Sequence, residues 1–264
     1  MHGNGNDFIL IDEYSTIKVP EETKSKFAKL VCNRNFAIGA DGVIFVQRSK
    51  IAHVRFRYFN KDGSEAAMCG NGVRCFARYV FEEGYVDSKF SIETLSGIVN
   101  LEVVNKGRWW IKVDIGKPDY KEISKLRLPD AGDLYYIDVG VPHVIIFVEN
   151  LNFDIIPIAK KIRYNTRFFP HGTNVNFVNV MSGKEIAIRT YERGVEDETL
   201  CCGTGSIASA LVAHRLGLVG KKVVVNTSGG KLEIEIGDRI YMYGSASRVL
   251  DGELHLDELY EVSE

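Results

Sequence analysis

The chain has 264 residues, 45% of them apolar and 26% charged, with a formal net charge of −2. This is the make-up of a globular enzyme, and with dispersed basic residues it excludes an electrostatic binder of nucleic acid or anionic membrane. Apolar runs such as Val144 to Val148 are far too short to span a bilayer, and M-H-G-N-G-N-D-F at the start lacks the basic and apolar regions of a secretion signal, so a cytoplasmic protein is expected.

In chain order, F-I-L-I-D (Phe8 to Asp12) reads as a strand, Glu21 to Asn33 as a helix, and V-I-F-V (Val43 to Val46) as a strand. V-R-F-R-Y-F (Val54 to Phe59) alternates at period two, the pattern of a strand with one buried face. A helix is predicted over about Gly72 to Glu83, stopped by Gly84. Strands follow at Phe90 to Thr94, Ile98 to Val104 and Trp109 to Ile115, with a turn at Ser96-Gly97. The polar, proline-bearing stretch Lys117 to Ile123 reads as a link. Beyond it come strands at Tyr135 to Val139 and Val144 to Glu149, a helix near Ile156 to Tyr164, and strands at Asn174 to Asn179 and Glu185 to Tyr191. A second glycine-stopped helix is predicted over Gly205 to Leu216, then strands at Lys222 to Asn226, Lys231 to Ile236 and Tyr241 to Ala246. Many short strands around one long helix per half fit an α+β fold.

The plan occurs twice. Cys69 and Cys202 are 133 residues apart, and the same offset relates Gly70 to Gly203, Gly72 to Gly205, Gly84 to Gly217, Thr94 to Thr227, Gly97 to Gly230, Gly39 to Gly172 and Tyr58 to Tyr191. Two copies of one folding unit are therefore predicted: residues 1–116 as an N-terminal lobe, onto which the tail 250–264 packs back, and residues 117–249 as a C-terminal lobe.

Each copy carries one cysteine at the mouth of a glycine-rich turn leading into an apolar helix. Glycine lets backbone amides approach a bound group, and a helix N-terminus presents unpaired N–H groups and a positive dipole end. Such a turn receives a carboxylate without any basic side chain and lowers the pKa of an adjacent thiol. Two such units offer two sulfurs to opposite faces of one carbon, one to remove a proton and one to deliver it. The count of five cysteines is odd, which is no disulfide framework, and the spacings C-x5-C and C-C lack the C-x2-C of a zinc site, so no metal is expected. No lysine stands in a pyridoxal phosphate motif, so no cofactor is expected either.

H-G-N-G-N-D-F (His2 to Phe8), Y-F-N-K-D-G-S-E (Tyr58 to Glu65), M-C-G-N-G-V-R-C (Met68 to Cys75), H-G-T-N-V-N-F (His171 to Phe177), Y-E-R-G-V-E-D-E-T (Tyr191 to Thr199) and C-G-T-G (Cys202 to Gly205) together resemble the diaminopimelate epimerase family, in its order and spacing and over essentially the whole chain. The resemblance implies two pseudo-symmetric domains, each a strand-wrapped, barrel-like mixed sheet around a central helix. It also implies a cofactor-independent two-base reaction interconverting LL- and meso-diaminopimelate, on the way to lysine and peptidoglycan precursors. Of the adjacent pair Cys201 and Cys202, the residue directly before G-[ST]-G carries the chemistry in that family, and the repeat selects the same Cys202.

By the same matching, Cys69, Cys202, His143 and Glu192 are the expected catalytic residues, with His143 a proton partner that raises thiolate content. Asn6, Asn60, Asn174, Glu192 and Arg193 are expected to contact substrate, and Gly70, Asn71, Gly203 and Thr204 to cradle its carboxylate. Arg193 suits a distal carboxylate, which it can grip with two parallel hydrogen bonds. Taken singly, each asparagine also reads as a turn or capping residue. Cys32, Cys75 and Cys201 are expected in packing, and His2, His53, His171, His214 and His255 in structural roles. The expected partner is a small amino-acid substrate, and the expected assembly a homodimer.

Two departures from the family stand out. Val141 replaces a frequent asparagine in G-V-P-H, which removes one hydrogen bond available to substrate, and only Met1 precedes the first motif, where a short leading strand is usual, so that strand is expected to be missing or the start truncated. Other readings stay open on the residues alone: a two-thiol racemase of the same fold with different or broader specificity, a cysteine-nucleophile hydrolase using His143, and a non-catalytic amino-acid binding protein with two cradling lobes.

Overall fold

The computed structural model describes residues 1–117, 123–128 and 132–255. The chain divides into two compact units, Met1–Val113 with Gly244–Glu264, and Asp114–Tyr243. Of the predicted link, residues 118–122 lie outside the described residues, as do residues 256–264 of the tail.

The first unit runs β1 (His2–Gly3), β2 (Asn6–Asp12), α1 (Lys24–Val31), β3 (Gly42–Gln47), β4 (Val54–Asn60), β5 (Glu65–Ala66), α2 (Gly70–Glu82), β6 (Lys89–Thr94) and β7 (Gly97–Asn105), and enters β8 (Trp110–Gly116). β2 pairs parallel with β3, β3 antiparallel with β4, β4 antiparallel with β5 and parallel with β6, and β6 antiparallel with β7. The alternation read in Val54 to Phe59 is real over most of β4: Val54, Phe56 and Tyr58 are buried while Arg55 and Arg57 are partly exposed. Val31, Phe27, Val43, Phe45 and Phe59 form a core between α1 and the sheet, and Leu254 of the tail packs against it.

The second unit contains β9 (Ser124–Leu128), β10 (Gly132–Asp138), β11 (Pro142–Phe147), α3 (Ile156–Arg163), β12 (Asn174–Ser182), β13 (Glu185–Glu192), β14 (Asp197–Thr199), α4 (Gly203–Arg215), β15 (Lys222–Thr227), β16 (Gly230–Ile236) and β17 (Ile240–Ser245). Its pairings repeat those of the first: β11 parallel with β12, β12 antiparallel with β13, β13 antiparallel with β14 and parallel with β15, β15 antiparallel with β16. Equivalent threonines close the same hairpin turn, Thr94 Oγ1 donating to Gly97 O and Thr227 Oγ1 to Gly230 O, each at 2.8 Å. Val144, Ile146, Ile162, Val175, Phe177 and Tyr191 build the core under α3. β9 was not anticipated from the sequence. It pairs with β10 in a hairpin that begins directly after the stretch read as a link, and S-K-L-R-L is too short and too charged to stand out from a polar connector.

The two long helices are the same length, and both begin two residues earlier than predicted. Their ends explain the repeat of glycines. In α2 the N–H of Gly84 bonds Phe81 O and that of Tyr85 bonds Val80 O, and in α4 Gly217 bonds His214 O and Leu218 bonds Ala213 O. Both glycines have a φ of 74°, so each helix ends in the same left-handed cap. α4 is buried from Gly205 to Ala213, as expected of a helix apolar on every side, whereas α2 keeps Arg78, Tyr79 and Glu82 on a partly exposed face.

Candidate active site

Because the helices start at Gly70 and Gly203, each cysteine is the residue that caps one. Cys69 and Cys202 both have extended backbone, and their carbonyls accept the first helical hydrogen bonds, from Val73 at 2.8 Å and Ser206 at 2.9 Å. The sulfurs thus stand at the positive ends of two thirteen-residue helices. Gly70, Asn71, Gly203 and Thr204 are the first and second residues of those helices, whose N–H groups have no intrahelical acceptor. The second glycine of each turn serves packing: a Cβ on Gly72 would meet Ile44 at 3.1 Å, and one on Gly205 would overlap Asn176 Oδ1.

In the first unit Cys69 is half-buried, and its Sγ lies 3.7 Å from Asn6 Oδ1. Asn71 Nδ2 donates to the same oxygen at 3.3 Å, while Asn6 Nδ2 donates to Asp41 Oδ2 at 2.7 Å. A carboxylate only accepts and an amide N–H only donates, so Asn6 is held in one orientation, with its carbonyl oxygen towards the thiol. Arg34 braces the outer side by bonding both Asp7 and Asp41. Behind the turn lies Arg74, fully buried. Its guanidinium donates to Asn4 Oδ1 at 2.7 Å, Asn71 Oδ1 at 3.0 Å, Gly70 O at 3.1 Å and Ser245 O at 3.2 Å. Asn4, at a φ of 54°, is in the left-handed region that this bond helps to hold. Asn60 joins no part of this cluster by hydrogen bonding among the contacts described; its amide caps the turn to Ser64 Oγ at 3.0 Å.

In the second unit Cys202 is buried. Its Sγ accepts from the Gly205 N–H at 3.4 Å and lies 3.5 Å from Thr204 Oγ1. The sequence predicted a lowered thiol pKa here, and the structure reverses that. Burial, reinforced by the Glu192 carboxylate, pushes the Cys202 thiol far up, against the weaker pull of Thr204 and the Gly205 N–H. Helix-end stabilisation does not offset the loss of water around the sulfur. Glu192 accepts from Thr199 Oγ1 at 2.9 Å. Asn174 braces the Glu192-Arg193 loop: its Oδ1 accepts from Arg193 N at 2.8 Å and its Nδ2 donates to Pro142 O at 3.1 Å. Arg193, partly exposed, donates from Nη1 to His171 O at 2.8 Å. Glu196 closes the loop from below, accepting from Gly194 N, Arg163 and Tyr164.

His143 is completely buried on β11, beside Asn174 of β12 in register. Burial, with the Arg193 charge, pushes its pKa from 6.5 down to about 3, so the ring is neutral. The three cysteines assigned to packing are all buried, and burial pushes the Cys32 and Cys75 thiols up to about 12. Sequence reasoning missed Arg74, Asp41, Asn176 and Thr190. Arg74 and Asn176 lie inside the matched motifs M-C-G-N-G-V-R-C and H-G-T-N-V-N-F, but nothing in a sequence says that a charged or amide side chain will be fully buried.

The diaminopimelate epimerase family model matches residues 1–121 and 135–249. The chain belongs to the diaminopimelate epimerase family. Curated diaminopimelate epimerases similar to it include that of Archaeoglobus fulgidus, 56% identical over 98% of this chain and 96% of the relative, and that of Methanothrix thermoacetophila, 47% identical over 96% and 93%. Diaminopimelate epimerases are isomerases, and this family member is an enzyme of that class. Solved structures of similar fold include a PhzF-family phenazine biosynthesis protein of Bacillus anthracis, at a TM-score of 0.68, 18% identity and coverage of 93% of this chain and 92% of that one. A hydroxyproline epimerase of Agrobacterium vitis aligns at a TM-score of 0.60, 15% identity and coverage of 92% and 87%. These distant likenesses show the α+β fold. No helix among the described residues is long and apolar enough to cross a membrane.

Proposed function

We propose that the chain interconverts LL- and meso-diaminopimelate without a cofactor, using Cys69 and Cys202 as a thiolate and thiol pair. One sulfur, as thiolate, takes the α-proton and becomes a thiol, and the C–H electron pair spreads into the carboxylate. The other sulfur gives its proton to the opposite face of the same carbon and becomes the thiolate. Atoms and charge balance, and the reverse reaction exchanges the two roles. The N–H groups of Gly70, Asn71, Gly203 and Thr204 receive the carboxylate and stabilise the enediolate-like charge. Fixed dipoles aimed at a developing charge lower the barrier more than any other effect such a site can supply. Arg193 grips the distal carboxylate, and Asn6, Asn60 and Asn174 serve the remaining polar groups.

The observation that carries this reading is that two cysteines, equivalent by the internal repeat, each cap a helix N-terminus in a chain matched by the epimerase family over nearly its full length. Glu192 and His143 act on the Cys202 side, His143 as a neutral hydrogen-bond donor. The enzyme works in the cytoplasm, as a homodimer, in the supply of lysine and peptidoglycan precursors. The test is turnover of LL-diaminopimelate in deuterium oxide. One solvent deuteron should enter at the inverted Cα, and the absence of both inversion and incorporation would overturn the proposal. Val141 gives a specific reason to compare monobasic and other dibasic amino acids as substrates in the same assay.

A further inference from the structure

Asn176 is completely buried at the middle of the second unit's sheet, opposite Ile145 on β11 and Thr190 on β13. Its Nδ2 donates to Val144 O at 3.0 Å and faces His143 Nδ1 at 3.1 Å, and its Oδ1 accepts from Thr190 Oγ1 at 2.9 Å. The same Oδ1 lies against the first turn of α4, where a Cβ on Gly205 would overlap it and would stand 3.3 Å from Cys202 Sγ. One carboxamide therefore touches the histidine on one side and seats the cysteine-bearing turn on the other.

These contacts admit one arrangement of protons. Val144 O accepts only, so the amide nitrogen must face it, and a flipped amide would set two carbonyl oxygens together. The second N–H of that nitrogen points at His143 Nδ1, which must then be a bare lone pair. A neutral imidazole with Nδ1 unprotonated carries its proton on Nε2. Nε2 is itself buried and has no hydrogen-bond partner among the described residues.

We infer that Asn176 is a positioning residue that locks His143 as the Nε2–H tautomer, making the ring a fixed neutral donor and denying it the role of a base. The functional part of this inference rests on the epimerase reading of the Cys202 turn; the tautomer does not. A base at this position would compete with the sulfurs for the proton they exchange, whereas a fixed donor supports negative charge without taking part in the transfer. Sequence alone offers no such assignment, because Asn176 is one asparagine among several and the histidine contact spans two strands.

The experiment is long-range proton–nitrogen correlation on the full chain labelled with 15N-histidine, with the His143 signals assigned by their loss in His143→Gln. At neutral pH the wild-type protein should show a protonated Nε2 and an unprotonated Nδ1. In Asn176→Asp the carboxylate accepts instead of donating, and the pattern should invert, with kcat lowered roughly 10²-fold by the misplaced proton. Thr190→Val, which leaves the amide nitrogen in place, should keep the wild-type pattern and serves if the aspartate variant does not fold. A wild-type His143 protonated at Nδ1, or at both nitrogens, overturns the inference. So does an inverted tautomer in Asn176→Asp with unchanged kcat. If wild-type protein shows the Nε2–H form yet does not turn over diaminopimelate, the tautomer assignment stands and the substrate reading falls.

Discussion

Arg74 and Ile207 occupy equivalent positions, each five residues after the cysteine that caps its helix, and they support the two turns by opposite means. Arg74 reaches back with a buried guanidinium to Gly70 O, Asn71 and Asn4. Ile207 is a buried apolar residue, and the second turn is held from the sheet by Asn176. The duplication has kept the helix, its two caps and its cysteine, while the polar bracing has diverged. The half-buried Cys69 faces a carbonyl oxygen, and the buried Cys202 accepts a backbone N–H.

Replacing Arg74 should therefore damage the first unit alone. Arg74→Met leaves several buried acceptors without a donor, at about 1–3 kcal/mol for each one left unsatisfied. We expect a loss of at least ~3 kcal/mol in urea unfolding. Ile207→Met, which changes shape with little change in volume, should cost less than about 1.5 kcal/mol.

Either Cys69→Ala or Cys202→Ala should lower kcat for epimerisation by about 10³-fold or more, since each removes one of two obligatory proton carriers. Circular dichroism and thermal unfolding should stay close to wild type. Turnover within tenfold of wild type in either variant would sink the two-thiol mechanism.

The sulfurs should differ in reactivity. Cys202 is buried and its thiol is pushed up, whereas Cys69 is half-buried. With iodoacetamide at neutral pH, peptide mapping should find Cys69 modified at least about tenfold faster than Cys202, because only the exposed thiolate reacts. Equal rates would contradict the burial difference.

The glycines of the second turn should not be interchangeable. Gly203→Ala meets only the end of Met242, with Sδ at 3.6 Å, an ordinary contact, and should leave stability within ~1 kcal/mol. Gly205→Ala drives a methyl into Asn176 Oδ1 and should cost about 1–3 kcal/mol, with a larger fall in kcat than in KM because it displaces the capping cysteine.

The loop bearing Glu192 and Arg193 should carry an acid-range signature. Burial raises the Glu196 pKa, but the Gly194 N–H, Arg163 and Tyr164 more than offset this and bring it from 4.5 down to about 2. A carboxylate with a depressed folded-state pKa contributes stability that is fully present above 4.5 and is lost as pH falls through about 2. Glu196→Gln should be less stable at neutral pH by about 1 kcal/mol, discounted for partial exposure, and should lose less stability than wild type between these pH values. Its KM should rise with little change in kcat.

The longer elements and their duplication were legible in the sequence, while the short strands β1, β5, β9 and β14 were not. Alternation marked β4, the glycines after α2 and α4 marked helix ends that need a positive φ, and a shared offset of 133 residues made the two cysteines equivalent. These features are legible because each depends on a few neighbours along the chain. The surroundings of the sulfurs, by contrast, are set by long-range packing. Burial at Cys202 reverses the local expectation for a thiol at a helix N-terminus, and the proton on His143 is set by an asparagine 33 residues away that only strand pairing brings alongside it. Desolvation and cross-strand hydrogen bonding depend on groups distant in sequence, so they come into being only when the chain has folded.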